Sequence, residues 1–185
     1  EELCTYLPAL ESYNRASYIG IVLARTESKV EQEYVLQSLG DRSADIRDEA
    51  YKVLSEMSLS PEQYQHIEEL LRFKYSEMRI NAINLLMKQP EAQLAASIRR
   101  LLSDKNAERR LAGLDMMKSI RNVDFLKDSY QKLLSTVREI QKPNAKEKIL
   151  IESLIGDGTE QSPTSNYTRE NGFGLYDPAL EVSLP

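Results

Sequence analysis

Few residues in this chain belong to types that do covalent or metal chemistry, and their spacing argues against most of that chemistry. There is one cysteine, Cys4, and one histidine, His66. A cysteine nucleophile needs an imidazole within hydrogen-bond reach, and these two lie 62 positions apart, on what read as different helical units. No thiolate or imidazole cluster has zinc-ligand spacing, and no glycine-rich loop opens a helix after a strand. His66 follows the polar Gln65 beside an apolar stripe and reads as a surface residue. The carboxylate pairs Glu31/Glu33 and Glu68/Glu69 read as solvated charges on exposed helices. The expectation is a chain that is not an enzyme and holds no metal or cofactor.

The remaining chemistry is charge, and it recurs. Five segments carry a basic residue, a small or apolar residue three later, and an apolar pair at six and seven: Arg15/Tyr18/Ile21-Val22, Arg47/Ala50/Val53-Leu54, Arg79/Ala82/Leu85-Leu86, Arg110/Gly113/Met116-Met117 and Lys148/Ile151/Leu154-Ile155. The basic residues are separated by 32, 32, 31 and 38 positions, a period that marks a repeat architecture. The basic column reads in two ways. It is a ladder for phosphates, or each side chain bonds a carbonyl or carboxylate at the turn of an adjacent unit, a task suited to the planar fork of arginine.

Offsets three, six and seven share one face of a 3.6-residue helix, so each segment is the second helix of a unit. Between them lie further helix-period stretches: Val30, Tyr34, Val35, Leu39; Tyr64, Ile67, Leu70, Leu71; Leu94, Ile98, Leu101, Leu102; and Leu126, Tyr130, Leu133, Leu134, Val137. Ser60-Pro61-Glu62-Gln63 and Asn144 with Glu147 are reciprocal caps, Pro90 fits the first turn of the helix after it, and Asn106 and Asn122 are further cap candidates. The pattern predicts helices at 2–12, 14–25, 29–40, 43–57, 60–73, 75–89, 91–103, 106–121, 123–140 and 144–156. One amphipathic hairpin cannot bury both faces, so units must stack side by side. The fold expected is all-α, a right-handed α-solenoid of about five antiparallel helix pairs over residues 1–156, with an extended C-terminal tail over 157–185.

Composition agrees with a water-soluble helical domain. Of 185 residues, 41% are hydrophobic and 29% charged, with 7 Gly and no Trp; no apolar run approaches the roughly 20 residues that span a bilayer. A single cysteine gives no internal disulfide, which favours a reducing, cytoplasmic compartment. The chain opens on Glu1 rather than Met, so a piece of a longer protein is expected. Charge is segregated: 6 basic against 14 acidic residues over 1–70, 17 against 9 over 71–150, and 1 against 6 over 151–185. Either the middle attracts a charged partner, or the acidic end faces a basic neighbour in the parent chain.

Residues 102–114, Leu-Ser-Asp-Lys-Asn-Ala-Glu-Arg-Arg-Leu-Ala-Gly-Leu, resemble the turn and second-helix signature of HEAT-like (armadillo-type) repeats, with a shorter match at Asp45-Ile46-Arg47-Asp48-Glu49-Ala50. The resemblance implies a curved stack of helix pairs that binds other macromolecules, with the second helices on the concave side. For the basic column it implies bonding at the turns. The tail from Glu170 to Pro178 is similar to a connecting segment of large bacterial helical-repeat proteins that end in a MolR-like domain of unknown function.

With the apolar offsets turned inward, offsets two, five and nine line the inner curve: Ser17/Gly20/Ala24, Glu49/Lys52/Glu56, Asn81/Asn84/Lys88 and Ala112/Asp115/Ser119. This surface is mixed and nearly neutral, where a nucleic-acid groove needs aligned cations. The expected function is a non-catalytic protein–protein interaction or scaffolding module, contacting a protein partner or neighbouring domain through Glu49, Lys52, Glu56, Asn81, Asn84, Lys88, Asp115 and Ser119. Two alternatives stand beside it: a nucleic-acid-binding repeat led by Arg99, Arg100, Arg109 and Lys105, and an accessory domain of an enzyme whose active site lies elsewhere. The small stripe Ser17, Gly20, Ala24 is expected to admit another packed element. Thr159 to Asn166 reads as a linker, and Asn166-Tyr167-Thr168 as a chance glycosylation match. The apolar tail, Phe173 to Leu184, is expected to fold back on the stack or lead to a further domain.

Overall fold

The computed structural model describes residues 2–156, with side chains from Cys4 onward. The expectations for the linker, the Asn166 triplet and the apolar tail therefore lie outside the described residues. The chain divides into two units, Glu1–Leu154 and Ile155–Pro185. Among the described residues the fold is all-helical, with no strand.

Ten α-helices follow in order: α1 (Glu2–Tyr6), α2 (Ser12–Ile21), α3 (Lys29–Ser38), α4 (Ala44–Glu56), α5 (Pro61–Leu70), α6 (Ser76–Leu86), α7 (Glu91–Leu102), α8 (Ala107–Ile120), α9 (Lys127–Arg138) and α10 (Ala145–Ile155). Several start where side-chain chemistry says they should. Ser60 and Gln63 form a reciprocal capping box ahead of α5, with Pro61 in the first turn. Asn144 and Glu147 do the same for α10, at 2.6 and 2.9 Å. The Asn106 side chain accepts from the Glu108 and Arg109 amides. Asn122 does not cap: a 3₁₀ turn, Asp124–Leu126, with Val123 ahead of it, leads into α9 instead. Pro90 sits one position before α7, its carbonyl receiving the Gln93 and Leu94 amides.

The first two expected helices are shorter than their patterns. α1 ends at Tyr6 and gives way to a 3₁₀ turn, Leu7–Ala9, because Pro8 lacks an N–H and cannot extend an α-helix as an interior residue. α2 stops at Ile21, and a 3₁₀ turn over Leu23–Arg25 follows.

The helices pack on their sequence neighbours, α3 on α4, α5 on α6 and α7 on α8, and also on the helix two along. Thus α2, α4, α6 and α8 meet in succession, as do α3, α5, α7 and α9. The seam between the two rows is the core: Val35, Ile46, Leu54, Ile67, Leu71, Leu85, Leu86, Ile98, Leu101 and Met117 are all essentially inaccessible. Burying a Leu or Ile side chain contributes about 1.5–3 kcal/mol, so this seam is the main source of order.

The first unit departs from the expected core. Ile21 and Val22 are 80% and 52% exposed, and the buried set is Ala16, Ile19 and Leu23. Ala16 and Ile19 lie two positions before the expected Tyr18 and Ile21, and two residues rotate a helix by roughly 200°, onto the opposite face. Because α2 ends at Ile21, the chain tightens and Leu23, not Val22, returns to the core. Val30, expected inside, is 51% exposed near the start of α3.

Candidate interaction surface

The arginine column is an internal brace. Arg15 donates to Asp41 at 2.9 Å, in the turn before α4. Arg47 donates to the Asp41 and Arg42 carbonyls and to Glu77 on α6. Arg110 repeats that geometry two motifs later, donating to the Asp104 and Lys105 carbonyls and, at 2.8 Å, to Glu147 on α10. The two share a local cause: Asp41 and Asp104 each accept the backbone amide two residues on, from Ser43 and Asn106, which folds the turn and exposes its carbonyls to the arginine. Arg79 has Phe73 where the others have that aspartate, and it reaches forward instead to Glu108 and, at 2.6 Å, to Asp115 on α8. Lys148, the fifth member, is exposed and makes no ion pair among the described residues.

Two carboxylates expected to be solvated or merely capping are the most enclosed charges described. Glu68 is 2% exposed. Arg100 clamps it through Nε at 3.1 Å and Nη2 at 2.6 Å, and Arg109 approaches at 4.0 Å while also pairing with Glu69 and Asp104. That bonding holds the Arg100 guanidinium above the usual arginine range. The reading of Glu68 as a surface charge is thus corrected; Glu69 beside it is 56% exposed. Periodicity carried the signal, since Tyr64, Ile67, Glu68 and Leu71 fall at i, i+3, i+4 and i+7 and Glu68 occupies a core position. Glu147, fully buried, likewise combines its cap with the Arg110 pair.

Seven of the eight expected contact residues lie on α4, α6 and α8, three helices that meet in succession, and Lys88 lies in the turn just after α6. Several are engaged within the protein. Lys52 pairs with Glu49 at 2.6 Å. Lys88, in the turn after α6, donates to the Ser55 carbonyl of α4 at 2.5 Å, Asp115 takes Arg79, and Ser119 donates to the Asp115 carbonyl. Asn81 is half-buried beside Leu39, Arg47, Leu70 and Met78, in the seam between hairpins. Glu56 and Asn84 are exposed and make no side-chain hydrogen bond among the described residues. Ala112, expected in the same row, is fully buried. Ser17 and Gly20 of the small stripe face α4: the Glu49 carboxylate lies over Gly20, 2.5 Å from where a Cβ would stand. A groove of about 610 Å³ opens there between Tyr13, Ser17, Asp45 and Asp48.

Cys4 lies on α1 beside Val30 and Tyr34 of α3, and His66 is half-buried on α5. Among the described residues no group of three or more His, Cys, Asp or Glu is placed to hold a metal ion, and no helix is long and apolar enough to cross a membrane. No curated protein and no solved structure matches the chain. A family model does, from residue 1 to residue 185, and by that match the chain belongs to the DUF5724 family, a family of unknown function.

Proposed function

We propose that this chain is a non-catalytic protein–protein interaction or scaffolding module, built as a right-handed HEAT-like solenoid and working in the cytoplasm. The observation that carries the reading is the brace: Arg47, Arg79 and Arg110 each bond a carboxylate on the next even-numbered helix. Such side chains register one hairpin against the next, the property a stack needs to present a continuous surface. The partner is a protein or a neighbouring domain, and the row Glu49, Lys52, Glu56, Asn81, Asn84, Lys88, Asp115 and Ser119 is the contact face.

Nucleic acid is disfavoured as the partner because two of its four leading residues are spent internally: Arg100 and Arg109 neutralise Glu68, Glu69 and Asp104. Affinity for a phosphate backbone comes from cations that are free to replace counterions. The test is capture of partners with the 185-residue chain and with the K52E/K88E variant. The expected result is a protein retained by the first and lost by the second. A partner held equally by both removes the row from the contact face, and capture of nucleic acid alone removes the reading.

A further inference from the structure

The brace has a second effect at the edge where α3–α4, α5–α6, α7–α8 and α9–α10 turn back on themselves. Arg47 ties the first turn to Glu77 just after the second. Arg79 ties the second hairpin to Glu108 just after the third turn, and Arg110 ties the third turn to Glu147 just after the fourth. The four turns therefore follow one another along one edge. The same bonds occupy that edge's carboxylates: Asp41, Glu77, Glu108 and Glu147 are each taken by a brace arginine, and Asp104 is taken by Arg109.

What remains is a line of cations without partners. Arg42, Lys74, Lys105 and Lys142 occupy the four turns at intervals of 32, 31 and 37 residues. All four are exposed, and none forms an ion pair among the described residues. Arg72 and Lys146 flank them, also exposed; the free carboxylates nearby are Asp45 and Glu139. Lys142 keeps its place at φ 50°, a backbone conformation that glycine or asparagine would adopt more readily. The second turn adds an apolar anchor: Tyr75 is 67% and Phe73 39% exposed, with the Arg72 guanidinium 4.8 Å from the Phe73 ring centre.

We propose that this turn edge docks an extended acidic polypeptide segment of a partner protein. The inference rests on the interaction-module reading and names a different face and a chemistry for it. Packed helices lie about 8–10 Å apart, so four turns span roughly 30 Å, the reach of about ten residues of extended chain. A carboxylate at every third residue of such a chain meets one turn cation after another. A single nucleic-acid strand fits less well, because a base-stacking track needs an aromatic at successive steps. Here the aromatics stand at one turn only; the others read Asp41-Arg42-Ser43, Asp104-Lys105-Asn106 and Gln141-Lys142-Pro143.

The test measures fluorescence anisotropy of a labelled glutamate-rich peptide of about 15 residues with one central leucine, and of an oligothymidylate of equal charge, on the 185-residue chain. The peptide is expected to bind at low salt and to weaken as salt rises. The R42Q/K74Q/K105Q/K142N variant should lose about tenfold or more in affinity, with an unchanged circular dichroism spectrum because the four side chains are exposed. Y75A should weaken the leucine-bearing peptide and leave an all-glutamate version unaffected. A control that removes equal charge away from the turn edge, R25Q/K118Q/K127Q/K132Q, should bind like the parent. Equal losses in both quadruple variants, or binding of the oligothymidylate without the peptide, overturn the proposal. Peptide binding that survives the turn variant but is lost in K52E/K88E also overturns it, while leaving the interaction-module reading in place.

Discussion

At the scale of single residues, the Glu68–Arg100 pair shows that the two ends of one ion pair are not equivalent. Glu68 is 2% exposed and Arg100 47%. Removing the arginine strands a carboxylate in the core with only Arg109 near it, whereas neutralising the acid leaves a guanidinium that turns into water. Breaking a buried pair from the wrong side costs about 3–5 kcal/mol. The half-exposed arginine places R100A near the lower end, about 3 kcal/mol, against about 1–2 kcal/mol for E68Q, whose amide keeps one hydrogen bond. Urea melts of both variants check the order; E68Q proving the more damaging would mean that Glu68 is less enclosed than its packing indicates.

At the scale of elements, two helical glycines face opposite surroundings. A Cβ at Gly20 of α2 meets only the tip of Glu49, a flexible side chain already drawn toward Lys52. A Cβ at Gly113 of α8 meets Leu101 Cβ at 3.2 Å and Leu102 at 3.1 Å, in the tight α7–α8 interface. Alanine gains about 1 kcal/mol of helix propensity over glycine, so G20A is expected to leave stability unchanged or raise it by up to about that amount. G113A sets the same gain against overpacking worth about 1–3 kcal/mol, and a net loss is expected. Thermal melts of the two variants compare them directly, and a G113A that melts higher than the parent would show that α8 can move away from α7. Sequence pattern anticipated the helices well where a unit had a strong apolar stripe and a capping residue, as at Ser60, Asn106 and Asn144. It misread α2 because two stripes, 18/21/22 and 16/19/23, compete there, and the choice depends on where the helix ends. The arginine column was readable as turn bonding. The Arg109 network was not, since it joins residues from three helices whose meeting no local spacing encodes.

At the scale of the described helical unit, order is unevenly distributed. Tyr6, Leu10, Tyr13, Ile21, Val22 and Val30 are large apolar side chains left exposed within the first 30 residues, while α7 and α8 hold Ile98, Leu101, Leu102, Leu114, Met116 and Met117 at 0–1% exposure. Local opening follows the density of buried apolar contacts, so amide hydrogen exchange should be fastest over 2–25 and slowest in α7 and α8. The brace gives the sharper test. Arg79 joins α6 to α8 through carboxylates that are 24% and 39% exposed, and R79M should remove about 1–2 kcal/mol after discounting for solvent. If each hairpin is held by its neighbours, that loss accelerates exchange in α5 through α8 and leaves α1 and α2 as they were. Uniform acceleration throughout would mean that the helices open as one block, and the arginines would then stabilise a whole rather than register one hairpin against the next.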